Sequence, residues 1–200
     1  MPPRTVARGA GRLRLASESE SQRLLSSSVL GMLLFVAAEV MFFAGLISAF
    51  TIIRSGATVW PPPDQPRLPI ERTLLNTAAL IASGVVLFHA HRIFTRERRR
   101  ALTPLAWAIG LGAFFVLCQG VEWAQLLHQG LTLTSSPLGS FFYLIVGLHA
   151  LHAVIAIGVL AWTWRRLQRG WLAQSQLVTA EVFWYFVVGL WPVLYGVVYL

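Results

Sequence analysis

Glu39 lies inside AAEVMFFAGL (37–46), and His149 and His152 lie inside IVGLHALHAV (145–154), both otherwise apolar runs. An ionised carboxylate in hydrocarbon costs on the order of 2.5 to 3.5 kcal/mol on insertion scales. A carboxyl and an imidazole in such a place can exchange a proton, clamp two helices, or ligate a metal. Three more groups share this setting: the pair Gln119 and Glu122 in QGVEW, Glu181, and His89 with His91.

Each chemistry makes its own demand. His149 and His152 are three residues apart, a spacing that lets both face one neighbour on a helix. With Glu39 they could form a two-histidine, one-carboxylate facial triad, but no further carboxylate or histidine is placed to support it, and no metal site is expected. Two histidines from different helices at matched depth could hold a b-type haem, and His89 and His152 are both about 20 Å from one side at 1.5 Å per residue. No Cys-x-x-Cys-His is present, which excludes c-type haem. Cys118 is the single cysteine, so there is neither a disulfide framework nor a thiolate cluster; it reads as a small buried hydrophobe. Nucleophile motifs and phosphate loops are missing, so no catalytic residue is assigned.

The elements that carry these groups follow from composition. The 200 residues are 56% hydrophobic and 12% charged, with mean hydropathy +0.65. This is the membrane class. Five segments, at about 28–53, 74–94, 103–127, 139–164 and 178–200, reach the roughly 20 residues that cross a bilayer core. Helix is the form that satisfies every backbone group inside lipid. The expected fold is therefore all-α, an integral membrane bundle of five transmembrane helices. Gly and Ser within the spans suit close packing, without a dominant GxxxG seam. An odd helix count fits an inverted-repeat transporter poorly, and low loop content excludes a transport ATPase.

All 16 basic residues are Arg. A pI near 11.2 suggests nucleic acid, but the arginines lie in the tail and connections, where they orient a membrane protein. The tail 1–27 is Arg-, Ser- and Gly-rich and reads as a disordered cytoplasmic segment, not as a secretory signal. The turn after helix 2 (FTRERRR) and the connection after helix 4 (Arg165, Arg166, Arg169) are basic. The loop after helix 1 is nearly balanced, and HQGLTLTSSPL after helix 3 has no Arg. This alternation puts the N-terminus inside and the C-terminus outside. Trp60 and Trp123 fall at the outer boundary; Trp107, Trp162, Trp164 and Trp171 fall at the inner one, as interfacial anchors do. The loop WPPPDQPRLP reads as stiff and extended.

With that topology, Glu39 lies roughly 17 Å deep in a helix of about 38 Å, and His152 roughly 20 Å deep from the other side. The depths nearly coincide. Glu39 is expected to meet His149 or His152 across a helix interface, and desolvation favours the uncharged version of both groups. A helix clamp and a proton or lipid role both stay open. Glu122, near the outer end of helix 3, reads as a boundary carboxylate reaching headgroups or water, with Gln119 beside it. Glu181 reads the same way at the inner end of helix 5. His89 and His91 are assigned to the basic inner turn of helix 2.

The pieces GMLLFVAAEVMFFAGL, WPPP, LLNTAALIASG, FFVLCQGVEW, GSFFYLIVGLHALHAV and WYFVVGLWPVLY, from about Gly31 to Tyr199, carry a resemblance. The chain resembles subunit III of the haem–copper respiratory oxidases, the cytochrome c and quinol oxidases, in its five-helix form. The resemblance implies an accessory, cofactor-free subunit packed against subunit I, which holds the haems and copper, alongside other oxidase subunits. It implies bound phospholipids, proximity to the oxygen route, support of proton uptake, and a place in the bacterial cytoplasmic membrane. The family's glutamates map onto Glu39 and Glu122, and its histidines onto His149 and His152. The last helix departs from the family pattern: Tyr185 and Val188 replace the usual His and Asp, and Ala38 stands where Ser is common. A membrane scaffold or assembly protein, an accessory subunit of a nitric oxide reductase, and a b-type cytochrome remain as alternatives.

Overall fold

The computed structural model describes residues 26–57 and 70–199. Five long helices follow in order: α1 (Ser27–Gly56), α2 (Ile70–Phe94), α3 (Leu102–His128), α4 (Pro137–Gln168) and α5 (Gln174–Leu194). A 3₁₀ turn, Arg98–Ala101, leads into α3, and a widened π turn, Tyr195–Tyr199, ends α5. No strand occurs among the described residues. All five are long and apolar enough to cross a membrane. The tail 1–27 falls outside the described residues, except that Ser26 and Ser27 cap and open α1. The loop WPPPDQPRLP also lies outside them.

The helices run longer than apolar length alone predicts because their ends carry local signals. Ser26 Oγ accepts from the Val29 amide, and Ser136 Oγ accepts from that of Gly139 behind Pro137. The polar turn Glu71–Arg72–Thr73, read as loop, opens α2 with an acid in its first turn. Helices α3 and α4 stop alike. Gly130 and Gly170 take φ of 91° and 77°. The Leu131 amide bonds the Leu126 carbonyl, and the Trp171 amide bonds the Arg166 carbonyl, each at 3.0 Å. Only glycine enters that backbone region without a Cβ penalty.

Both ends of the bundle are tied by backbone carbonyls. At one end Arg98 donates to Leu172 O and Trp164 Nε1 to Leu102 O, each at 3.1 Å. At the other, Arg54 donates to Val197 O at 3.0 Å and Tyr143 OH to Leu131 O at 2.8 Å. Trp107, Trp162 and Trp171 are exposed. Trp123 is not a free anchor: it is half-buried and packs edge-on to Phe142 and Tyr143.

Helix α5 is the hub, packing on α4, α1 and α2, while α2 pairs with α3 and α3 with α4. Two fully buried tryptophans make it so. Trp184 Nε1 donates to Ser83 Oγ and Trp191 Nε1 to Thr77 Oγ1, both on α2 and both at 2.8 Å. Buried indole needs such an acceptor for its N–H. Trp191 also meets Phe115 of α3 edge-on at 5.0 Å. Helix α1 lies against α5 and α4 as an outer member, and of its side chains only Val29, Phe43 and Phe50 are buried.

Trp184 presses against α3 at Gly112, where an added Cβ would stand 2.5 Å from Cη2 and 2.7 Å from Cζ2. The indole is pinned by Ser83 and cannot swing away. Gly112→Ala is therefore expected to lose about 1–3 kcal/mol in denaturation from mixed micelles. Gly110→Ala, where a Cβ meets nothing within 4 Å, should stay within about 0.5 kcal/mol. Equal effects at the two positions would remove the close approach of Trp184.

Candidate functional site

Helix α1 brings Glu39 to α4, where its Oε2 lies 3.2 Å from His152 Nε2. The depth argument from sequence thus meets a contact in the structure. The two atoms stand at ion-pair distance, and Oε2 makes no aligned hydrogen bond. His152 Nδ1 is 2.7 Å from Leu148 O. A carbonyl only accepts, so Nδ1 carries a hydrogen. That leaves Nε2 toward Glu39 in two forms: as acceptor from a carboxylic acid, or as second donor of an imidazolium to a carboxylate. Phe43 at 5.6 Å, Phe186 at 6.1 Å and Phe183 at 6.2 Å surround the imidazole edge-on. The side chains stay 20% (Glu39) and 13% (His152) exposed, so the pair borders the bundle surface rather than its centre.

His149 does not share this contact. Three residues advance a helix by about 300°, so two such side chains diverge by about 60°. Here α5 fills the wedge between them. His149 points inward, is 1% exposed, and stacks on Trp191 at 5.1 Å and 29°. Of the two histidines open to Glu39, His152 is the one that meets it; both histidines meet α5, His149 through Trp191 and His152 through Phe183 and Phe186, and His149 takes no part in a triad with Glu39. Among the described residues no group of three or more His, Cys, Asp or Glu is arranged to hold a metal ion. His89 is exposed on α2, turned away from the interior that a bis-histidine haem would occupy with His152.

The two other carboxylates are not boundary charges. Glu122 is 6% exposed. Its Oε2 accepts from Thr73 Oγ1 and from Gln119 Nε2, each at 3.0 Å. Gln119 Nε2 also donates to Tyr199 OH at 3.0 Å, and Gln119 Oε1 accepts from Asn76 at 3.3 Å. Asn76 adds a bond to Phe115 O. Glu122 is thus the centre of a polar network joining α2, α3 and the end of α5. Glu181, 5% exposed, reaches His91 Nδ1 at 2.8 Å. Sequence reasoning missed both partners' helix. The signal was present in α2 as Thr73, Asn76, Thr77 and Ser83, polar residues recurring at helical spacing on one face. Cys118 is half-buried, in a groove with Arg72, Asn76 and Glu122. Of the residues that replace the usual polar pair of α5, Tyr185 is exposed and Val188 packs on Gly84.

A double-mutant cycle reads the first contact. Glu39→Ala and His152→Ala should couple by about 0.6 kcal/mol, and at most about 1.7 kcal/mol, as interhelical hydrogen bonds in membranes do. Glu39→Ala and His149→Ala should be additive. Glu39→Gln, whose amide can donate to Nε2, should leave fold and assembly nearly intact; complete loss of assembly would mean that an ionised Glu39 is indispensable.

A family model described as cytochrome c oxidase subunit III matches residues 19–200. Cytochrome c oxidase subunit 3 of Cyprinus carpio is 35% identical over 179 residues, covering 84% of this chain and 67% of that protein. The same subunit of Oncorhynchus mykiss shows the same identity and coverage. The probable cytochrome c oxidase subunit 3 of Nocardia farcinica is 31% identical over 178 residues, covering 84% of this chain and 85% of that protein. With five apolar helices and the motif residues placed as described, the chain belongs to the subunit III family of haem–copper oxidases, whose members are membrane-embedded accessory subunits of an oxidase complex.

Proposed function

We propose that this chain is the cofactor-free subunit III of a respiratory terminal oxidase in a bacterial cytoplasmic membrane. It packs against subunit I, holds phospholipids, and supports oxygen access and proton uptake while subunit I reduces oxygen to water and pumps protons. The observation that carries this reading is the Glu39–His152 contact at 3.2 Å. It joins AEVMFFAG on α1 to GLHALH on α4, so motif residues far apart in the chain act as two halves of one polar joint. A joint of this kind holds helices together. A chain without haem of its own is supported by His152 lying on Glu39 and Leu148 O, His149 stacking on Trp191, and His89 being exposed.

The Arg distribution supports an N-inside orientation. Arg98 donates to Leu172 O, so the Arg-rich α2–α3 and α4–α5 connections share one end of the bundle, which the positive-inside rule assigns to the cytoplasm. Large apolar side chains such as Leu34, Met41 and Ile52 stay exposed along α1, which suits lipid or a partner subunit on that side.

Purification of the full chain from its native membrane in mild detergent tests the proposal. The expected outcome is co-purification with a large haem–copper polypeptide and oxygen-consuming activity in the same fraction. A Soret band in the isolated chain would replace the proposal with a b-type cytochrome. A stable assembly free of any haem protein would replace it with a scaffold.

A further inference from the structure

Between α2 and α3 a groove of about 460 Å³ opens at the bundle surface, lined by Arg72, Leu75, Phe114, Leu117, Val121 and Gln125 among others. Leu75, Phe114, Leu117 and Val121 are each more than half exposed. On α3 the lining residues recur at helical spacing and form one stripe. From Gln125 to Phe114 that stripe descends roughly 16 Å at about 1.5 Å per residue. A hydrocarbon core is about 30 Å thick, so the groove is one leaflet deep.

Its mouth is polar. Arg72 stands in the first turn of α2 and Gln125 in the last turn of α3. Arg72 Nη1 donates to Gln125 Oε1 at 3.4 Å, and Arg72 is exposed. A guanidinium has five N–H donors and no acceptor, so most of them remain for an anion after this bond. Arg72 is the one basic side chain of the lining, and the one acid, Glu122, is engaged by Thr73 and Gln119.

We propose that the groove binds one anionic glycerophospholipid, with its phosphate on Arg72 and one acyl chain along Leu75, Phe114, Leu117 and Val121. The proposal rests on the subunit III reading and gives its phospholipid a place and a headgroup class. The cation sits at the rim, where a lipid phosphate lies, and the apolar length below it matches one leaflet. A transmembrane helix from another subunit is about 10–12 Å across and crosses both leaflets, which a groove ending at mid-membrane does not accommodate along its length. Phosphatidylglycerol carries no ammonium to offset its phosphate, so Arg72 gains more on it than on phosphatidylcholine.

Photocrosslinking tests the site. The full chain in its purified complex is placed in phosphatidylcholine nanodiscs. Trace phosphatidylglycerol or trace phosphatidylcholine is added, each with the same diazirine-bearing acyl chain. After illumination, mass spectrometry counts adducts on residues 114–121. Phosphatidylglycerol should give about fivefold more adducts there, the weight of one arginine on an anionic lipid. Arg72→Gln should bring the two lipids to parity. Equal yields in the unsubstituted protein would overturn the proposal, and that comparison needs no variant to fold. A preference that survives in a folded Arg72→Gln would also overturn it, as would a lack of adducts with both lipids, because polypeptide then covers the groove. A haem–copper polypeptide in the same fraction, with equal yields, rejects the lipid site and leaves the subunit III reading standing.

Discussion

A polar group on a membrane-crossing helix is costly to leave against lipid and gains by finding a partner within the protein. Association of the helices gains little from apolar burial, because lipid tails are as apolar as leucine. The two facts together make the intramembrane carboxyls into joints. Glu39 on α1 meets His152 on α4. Glu122 on α3 accepts from Thr73 on α2, and Glu181 on α5 meets His91 on α2. Each acid therefore pairs with a different helix, and only Glu122 also takes a donor from its own, Gln119. The three together tie α1 to α4, α3 to α2, and α5 to α2.

The same constraint explains the hub. Two indoles could fill the centre of the bundle only if their N–H groups were met, and Ser83 and Thr77 meet them from α2. The hydroxyls are part of the polar face that also supplies Thr73 and Asn76, so one face of α2 serves both the aromatic core and the Glu122 network. Close approach follows on the other side, where Gly112 leaves room for Trp184 and Phe115 meets Trp191 edge-on. At the end of α5, Pro192 removes one helix hydrogen bond, and the chain then widens into the π turn that carries Tyr199 to Gln119.

Helix number and approximate span were legible in the sequence because the bilayer fixes the length of apolar run it will take. Glu39 and His152 could be brought to one depth by counting residues from opposite ends, since rise per residue is constant. Rotation about the helix axis was not legible. Depth does not say which of two histidines three residues apart faces α1, and the packing of α5 decides it. The burial of Glu122 and Glu181 was missed for a related reason. Both lie near helix ends, where hydropathy allows solvation, and only the neighbouring helix shows that Thr73 and His91 stand opposite. The polar spacing within α2 held that information, but it becomes readable once the facing residues on α3 and α5 are known.

Helix α1 shows how much a single polar pair can decide. It has few buried side chains and most of its surface is apolar. Leucine and valine against lipid or against protein differ little in free energy, so they leave α1 nearly free to slide and to turn. Phe43 and Phe50 are its fully buried points, Met32, Val36, Leu46 and Ile47 pack partly on the core, and Arg54 reaches Val197 O near its end. None of these needs the helix at one depth as strictly as a carboxyl that must find an imidazole. A slip of one turn, about 5.4 Å, would leave Phe43 and Phe50 in hydrocarbon at small loss. It would also strand Glu39 with no partner and leave His152 Nε2 facing lipid. The Glu39–His152 contact, together with Arg54 on Val197 O, therefore favours one register of α1, and its worth lies in the misaligned positions it disfavours.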